Sequence, residues 1–299
     1  MFQKIAKGVA LSLIGLLAFR IASVSAMDIS VSPPRWEVDI NNTQTRSKSI
    51  KILNLSKEPV EIKVYARHWI MSQDNELQES PSNEQSLDQW IVFTPSRFTI
   101  PARGTQTVRF AIRPRVKPTS GEHRGVLYLE EIPSGNQDSQ VVTTVGRLGV
   151  VIYANAGEIK RVGVLNSVNV NAKSDKVTAM FDVSSTGNAH VRMKGQYAIY
   201  RAANYPGASV TKPINTNNSK AKLPDNVLDV GSLELPPVLP SNRRQLLLSI
   251  SKKLPPGNYV LDLNGELSGT PIDKGIPFTV PATTGNAQPA TKRVTSSKK

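Results

Sequence analysis

The sequence contains no cysteine and only three histidines, His68, His123 and His190. Without cysteine the chain cannot form disulfides, zinc–thiolate sites, iron–sulfur clusters or a thiol nucleophile. The histidines are far apart, so no spacing predicts a metal site or a histidine-based catalytic site. The usual nucleotide-binding, hydrolase and metalloprotease motifs are also missing. We therefore expect neither an enzyme nor a bound cofactor or metal.

Long hydrophobic runs are also scarce. The run Gly8–Phe19 follows Lys4 and Lys7 and precedes the small residues Val24–Ala26. This order is typical of a secretory signal peptide, and the run is shorter than the roughly 20 apolar residues that span a membrane. We predict that residues 1–26 are a signal peptide removed on export, and that the mature chain has no transmembrane segment.

Positive charge is in excess, since 37 Lys and Arg residues against 23 Asp and Glu residues give a net charge of +14. The basic residues are spread over the whole chain with no interleaved set of aromatic side chains, so the pattern does not predict nucleic-acid binding. The C-terminal residues 282–299 are polar and basic, and we predict that they form a disordered tail.

The dominant positive signal is an alternation of apolar and polar residues with a period of two, which predicts β-strands. Ile50 and Ile52 are one such set, and Tyr259, Leu261 and Leu263 are another. Proline and glycine turn signals separate the sets. We predict an all-β protein of two β-sandwich domains, 27–155 and 156–281, with the polar stretch 72–89 as a loop containing a short helical turn.

Several segments of the predicted N-terminal domain match a known pattern in order and spacing. They are Ile29–Arg35, Ser49–Val60, Val64–Trp69, Phe93–Phe98, Pro101–Arg109 and Gly121–Pro133. In the second domain the matching segments are Ser185–Arg192, Leu235–Arg243 and Pro255–Tyr259. Together these segments resemble the PapD-like periplasmic pilus-assembly chaperones, and the second domain is most similar to the branch that serves spore-coat-type pilins.

The resemblance implies two immunoglobulin-like sandwiches and a function in binding rather than catalysis. A chaperone of this family binds, stabilises and delivers pilin-like exported subunits by donor-strand complementation, and passes them to an outer-membrane usher. The expected location is therefore the periplasm, and no cofactor is implied.

The resemblance also implies site residues. Arg35 takes the position of the family's arginine that binds the carboxylate of the pilin C-terminus. The donor strand corresponds to residues 140–153, with Val141, Thr143 and Val145 facing the pilin.

At the position of the family's cleft lysine this sequence has Val150, and Arg147 is the only cation on that strand. We therefore predict Arg147 as the second carboxylate anchor. Leu148, Val150 and Ile152 are expected in the domain's own core. Glu122 matches the acidic residue of the family's inter-domain ion network. At the position of that network's arginine, this sequence has Ala154.

Two other functions are compatible with exported β-sandwiches. A secreted adhesion or structural protein is one alternative to the chaperone, and it would need no pilin-like client. A hydrolase or sugar-binding module is a weaker alternative, because the sequence offers neither a pair of catalytic carboxylates nor an aromatic platform.

Overall fold

The computed structural model describes residues 28–133, 145–173, 176–216 and 222–282. Eleven strands form the N-terminal half: β1 (Ile29–Ser32), β2 (Arg35–Asp39), β3 (Ser47–Asn54), β4 (Val60–Arg67), β5 (Trp69–Met71), β6 (Leu77–Glu79), β7 (Ile91–Thr94), β8 (Arg97–Ile100), β9 (Thr105–Ile112), β10 (Gly121–Ile132) and β11 (Arg147–Ala156). Short 3₁₀ turns occur at Thr43–Thr45 and Leu87–Gln89.

The N-terminal half is a sandwich of two sheets. One sheet has the order β1-β3-β9-β7 and the other has the order β2-β11-β10-β4-β8. Alternate residues of each strand face inward, so that Ile50, Ile62, Val108 and Ile152 are buried in one apolar core. The period-two pattern of the sequence is therefore the pattern of this core.

The C-terminal half is a second sandwich of two sheets. Its strands are β12 (Gly163–Ala172), β13 (Val177–Ser185), β14 (Met193–Arg201), β15 (Val227–Ser232), β16 (Arg243–Ile250), β17 (Gly257–Leu267) and β18 (Thr270–Val280), with a 3₁₀ turn at Ala202–Asn204. The sheets have the orders β12-β13-β16 and β15-β14-β17-β18. Phe181, Leu246 and Leu261 lie in their shared core.

These two sandwiches confirm the predicted all-β fold class, and no α-helix occurs in the described part of the chain. The stretch 72–89 contains the predicted helical turn, but it also contains β6, which the sequence pattern does not indicate. Leu148 was expected in the core, yet it is 37% exposed. Leu148 has the same parity along β11 as Val150 and Ile152, and it pairs with the buried Leu129, but it lies where β2 no longer covers the other edge of β11.

The hairpin of β5 and β6 packs against both halves of the chain. Trp69 and Met71 are buried on the outer face of the sheet that contains β10 and β11, and Leu239 of the C-terminal half belongs to the same cluster. This hairpin therefore forms part of the wall of the cleft between the sandwiches.

Candidate functional site

The edge of β11 is covered along only part of its length. β10 pairs with β11 from Arg147 to Ala156, whereas β2 pairs with the other edge only from Val151 to Asn155. Among the described residues no strand covers that edge at residues 147–150. An uncovered strand edge presents backbone N–H and C=O groups that can accept an additional strand.

Apolar side chains are exposed beside this open edge. Val145 is 44% exposed and Leu148 is 37% exposed, whereas Val150 is buried in the core. Val141 and Thr143, the other two predicted donor residues, lie outside the described residues. The site therefore combines free hydrogen-bonding groups with exposed apolar surface.

Arg35 lies at the inner end of the open edge. It is the first residue of β2 and stands opposite Val151, where the covered part of β11 begins. Its Nε is 4.0 Å from Oε1 of Glu37, and its side chain is 36% exposed. It also lines a cavity of about 320 Å³ together with Tyr153 and Arg192. Its guanidinium is thus available to an anionic group at the end of an added strand.

Arg147, the second predicted anchor, has other contacts. Its Nη1 donates to Oε1 of Glu79 at 2.9 Å and to the hydroxyl of Tyr65 at 3.4 Å. The guanidinium carbon lies 4.2 Å from the centroid of the Tyr128 ring. Arg147 precedes Val151 by four residues, which is about 13 Å along a strand. The structure therefore does not bring Arg147 and Arg35 together.

The residues of β11 that line the cavity differ by one position from the residue that the resemblance implies. Val150, at the position of the family's lysine, is 1% exposed and lies in the core. Val151 and Tyr153 line the cavity instead. Neighbouring residues of a strand point to opposite faces, so a shift of one residue moves a side chain from the core to the cleft.

Arg192 is a residue of this cavity to which the sequence assigned no role. It precedes β14, and its backbone is fixed because its N–H donates to the Ser268 hydroxyl at 2.9 Å and its carbonyl accepts from the Ser268 N–H at 3.1 Å. Burial and the nearby charge of Arg35 lower the pKa of Arg192. No local pattern could have found this pair, because the two arginines come from different halves of the chain.

A buried ionic contact joins the halves beside the cavity. The side chain of Glu122, on β10, is fully buried. It accepts hydrogen bonds from the ring Nδ1 and, at 3.1 Å, from the backbone N–H of His190. Arg124 Nη1 lies 3.2 Å from the same carboxylate, and the His190 ring lies 4.2 Å from that of Tyr153. Glu122 thus occupies the interface that the sequence predicted for it, with His190 and Arg124 as its partners.

A larger cavity of about 570 Å³ lies in the N-terminal half beside Trp36 and Phe110. We place the candidate site in the smaller one because β11 contributes Val151 and Tyr153 to its lining, whereas the larger cavity is lined by Arg109 and Arg113 but by no residue of β11. Within the described residues, no group of acidic and histidine side chains is arranged to hold a metal ion. No helix in that part of the chain is long and apolar enough to cross a membrane.

Comparison with known protein families gives a match over residues 30–153. The matching family is described as "Pili and flagellar-assembly chaperone, PapD N-terminal domain". The match extends from the first strand through Arg35 and the open edge of β11 to Tyr153. It therefore covers the N-terminal part of the site and ends before Arg192.

Solved structures give low-identity matches over most of the chain. A chain of the CsuC–CsuE chaperone–tip adhesion subunit complex from archaic chaperone-usher pili of Acinetobacter baumannii is 14% identical, with a TM-score of 0.40 and coverage of 85% of this chain and 98% of that one. The E. coli chaperone DraB is 11% identical, with a TM-score of 0.40 and coverage of 84% and 98%. A chain from the Salmonella enterica SafA pilin–SafB chaperone complex is 10% identical, with a TM-score of 0.39 and coverage of 85% and 97%. The search of curated protein sequences found no match.

Proposed function

We propose that the protein is a periplasmic chaperone that binds, stabilises and delivers pilin-like subunits by donating a strand. The observation that carries this proposal is the open edge of β11, which ends at Arg35. The family match over residues 30–153 supports it, because it covers this edge and Arg35.

Strand donation follows from the physical character of the edge. A subunit that lacks its last strand exposes an apolar groove and unpaired strand edges, which favour aggregation. Residues 147–150 of β11 offer the missing backbone hydrogen bonds, and Val145 offers apolar surface to the groove. In this proposal the donor segment also includes Val141 and Thr143, which precede Val145 in the sequence. Binding of this kind needs no cofactor and no chemical step.

Arg35 sets the register of the bound strand. A guanidinium binds a carboxylate through two parallel hydrogen bonds, so it fixes the position of a chain terminus. A client strand that pairs with residues 147–150 and ends at Arg35 runs from the Arg147 end toward Val151. It is therefore parallel to β11. In this arrangement Arg147 lies beside the client strand rather than at its end.

The remaining parts of the proposal concern the whole chain. Residues 1–26 are an export signal, and the domains are 27–155 and 156–281. Residues 282–299 are a disordered basic tail in this proposal; residues 1–27 and 283–299 lie outside the described residues. Delivery of the client to an outer-membrane usher, and kinship with the spore-coat-type branch, are supported by the resemblance of the sequence.

Affinity capture tests the proposal. The mature chain, with a C-terminal tag, is isolated from the exported fraction of its own cells, together with Arg35→Ala and the control Arg109→Ala. Arg109 is exposed on β9, in the other sheet of the sandwich. Loss of a hydrogen bond between charged groups costs about 2 kcal/mol, so we expect Arg35→Ala to weaken capture of a stoichiometric β-rich subunit about 30-fold.

The control is expected to capture the subunit as well as the parent chain does. If Arg35→Ala captures the subunit as well as the parent chain does, the chaperone function is supported. Arg35 then does not set the register of the bound strand. If no stoichiometric partner is captured while surface fibres are being made, the chaperone proposal is wrong. The adhesion or structural protein is then the better explanation.

A further inference from the structure

The cavity of about 320 Å³ is built by both halves of the chain. Arg35, Val151 and Tyr153 line it from the N-terminal half, and Arg192, Pro236 and Pro237 line it from the C-terminal half. Among the described residues that line it, none is Asp or Glu. The nearest carboxylate to Arg35 is that of Glu37, whose Oε1 lies 4.0 Å from Arg35 Nε, so the two guanidinium groups of the lining are only partly neutralised.

Buried polar atoms without partners are concentrated around this cavity. Trp69 Nε1, Asn75 Oδ1 and Arg192 Nε have no hydrogen-bond partner among the described residues, and all three residues line the cavity. A buried donor without an acceptor costs about 1–3 kcal/mol, and more when it carries charge. Two of these atoms, Trp69 Nε1 and Arg192 Nε, are donors, so an acceptor group bound in the cavity would remove this cost.

The charges around Arg192 favour an anionic ligand. Burial and the neighbouring charge of Arg35 lower its pKa, and Tyr153, Glu37 and Glu234 oppose this effect. Glu37 is shared between two arginines, since its Oε2 lies 3.3 Å from Arg161 Nη2 and its Oε1 lies 4.0 Å from Arg35 Nε. An anion bound between Arg35 and Arg192 would remove the repulsion between two cations in a half-buried site.

We propose that Arg192 and Arg35 together bind the terminal carboxylate of the client, so that the anchor spans both halves of the protein. The inference rests on the proposed function and extends it to the C-terminal half. Arg192 thereby supplies a second cation beside Arg35, which β11 does not, since Val150 faces the core and Arg147 contacts Glu79. Carboxylate binding then requires the two halves to hold their relative position.

The proposal is tested with a defined probe in place of the unidentified client. The probe is the synthetic peptide acetyl-Thr-Val-Tyr, prepared with a free carboxylate and as the C-terminal amide. Binding to the mature chain is followed by NMR of the arginine Nε–H groups, and the ratio of the two dissociation constants is measured. We expect the free acid to bind at least about tenfold more tightly than the amide.

The variants Arg35→Ala and Arg192→Ala are each expected to lose this preference, whereas the matched control Arg201→Ala retains it. Arg201 is exposed at the end of β14, the strand that follows Arg192. If Arg192→Ala retains the tenfold preference and Arg35→Ala loses it, the proposed role of Arg192 is wrong and the function proposed above stands. If the parent chain shows no preference, the carboxylate site itself is refuted, and strand donation is then judged by the capture experiment.

Two further variants guard against loss of fold. Circular dichroism and thermal melting verify that each variant is folded before binding is measured. Should Arg192→Ala fail to fold, Arg192→Lys and Arg192→Gln replace it. The lysine variant keeps the charge and is expected to retain part of the preference, and the glutamine variant is expected to lose it. Equal retention by both would contradict the proposal.

Discussion

At the scale of single residues, Glu122 is the buried charge on which the contact between the halves depends. Its carboxylate has no access to water and is held by His190 and Arg124. Burial alone raises the pKa of Glu122, but the hydrogen bond and charge of His190, with the charge of Arg124, outweigh burial and hold this pKa below 4.5. The ionised form of Glu122 is therefore more stable, relative to the protonated form, in the folded protein than in the unfolded chain.

Replacement Glu122→Gln is expected to lower the free energy of unfolding at pH 7 by about 3 kcal/mol, because it removes one partner of a buried ionic contact. In the parent, the unfolded chain takes up the proton first as the pH falls. The stability due to Glu122 is thus complete above pH 4.5 and is lost as the pH falls through the lower pKa of the folded state. Urea unfolding of parent and variant at several pH values measures both effects.

The matched control is Glu158→Gln, whose side chain is 76% exposed and pairs with Lys160. It is expected to change stability by less than about 0.5 kcal/mol. A penalty for Glu122→Gln that stays constant from pH 7 to pH 3 would contradict the assigned pKa.

At the scale of elements, the hairpin of β5 and β6 depends on the C-terminal half. Arg244 donates from Nη2 to the carbonyl of Met71 at 2.8 Å and from Nη1 to that of Ser72 at 2.6 Å. Asn75 Nδ2 donates to the carbonyl of Gln245 at 2.9 Å. A two-stranded hairpin is only marginally stable alone, so these contacts and the burial of Trp69 keep it in place.

Replacement Arg244→Ala is expected to accelerate hydrogen–deuterium exchange of the amides in residues 69–79 by about 30-fold. Two charge-assisted hydrogen bonds are lost, and a net cost of about 2 kcal/mol corresponds to that factor. The neighbouring Arg243 is a matched control, because it is exposed and pairs with Asp182 on β13. Similar acceleration in Arg243→Ala would show that Arg244 has no specific role in holding the hairpin.

The same hairpin shows where prediction from sequence reaches its limit. Strands such as β3, β4 and β9 bury every second residue, so their alternation is visible in the sequence. The strand β6 has no such signal, because its residues are half-buried or exposed and its position depends on the partner strand and on Arg244. Local patterns predict strands that fill a core, but not short strands held by distant contacts.

The candidate site divides in the same way. The predicted roles of Arg35 and of the donor strand follow from their position along the chain relative to a known pattern. The proposed partnership of Arg35 with Arg192 depends on how the two sandwiches meet, and neither periodicity nor spacing contains that information. The one-residue difference between Val150 and Val151 is also set by packing, since it decides which side chain enters the core.

At the scale of the whole molecule, the two sandwiches are joined by hydrogen bonds and ion pairs between individual side chains. His190 and Arg244 of the C-terminal half bind Glu122 and the β5–β6 hairpin of the N-terminal half. Arg161 adds an ion pair with Glu37. Interfaces between domains are commonly small and polar, so the relative motion of two domains is the ordinary expectation. Here a buried ionic contact and a shared apolar cluster oppose it.

We expect a chain of residues 27–299 to unfold in one calorimetric transition, because the interface couples the stabilities of its two halves. The double variant His190→Ala/Arg244→Ala removes the C-terminal contributions to both contacts and is expected to unfold in two transitions. The double variant Arg201→Ala/Arg243→Ala is the control, since both arginines are exposed, and it is expected to unfold in one. Two transitions in the parent chain would show that the halves are thermodynamically independent. If the carboxylate anchor spans both halves, the uncoupled variant should also lose the preference for the free-acid peptide although Arg35 and Arg192 are intact, because their spacing is then no longer fixed.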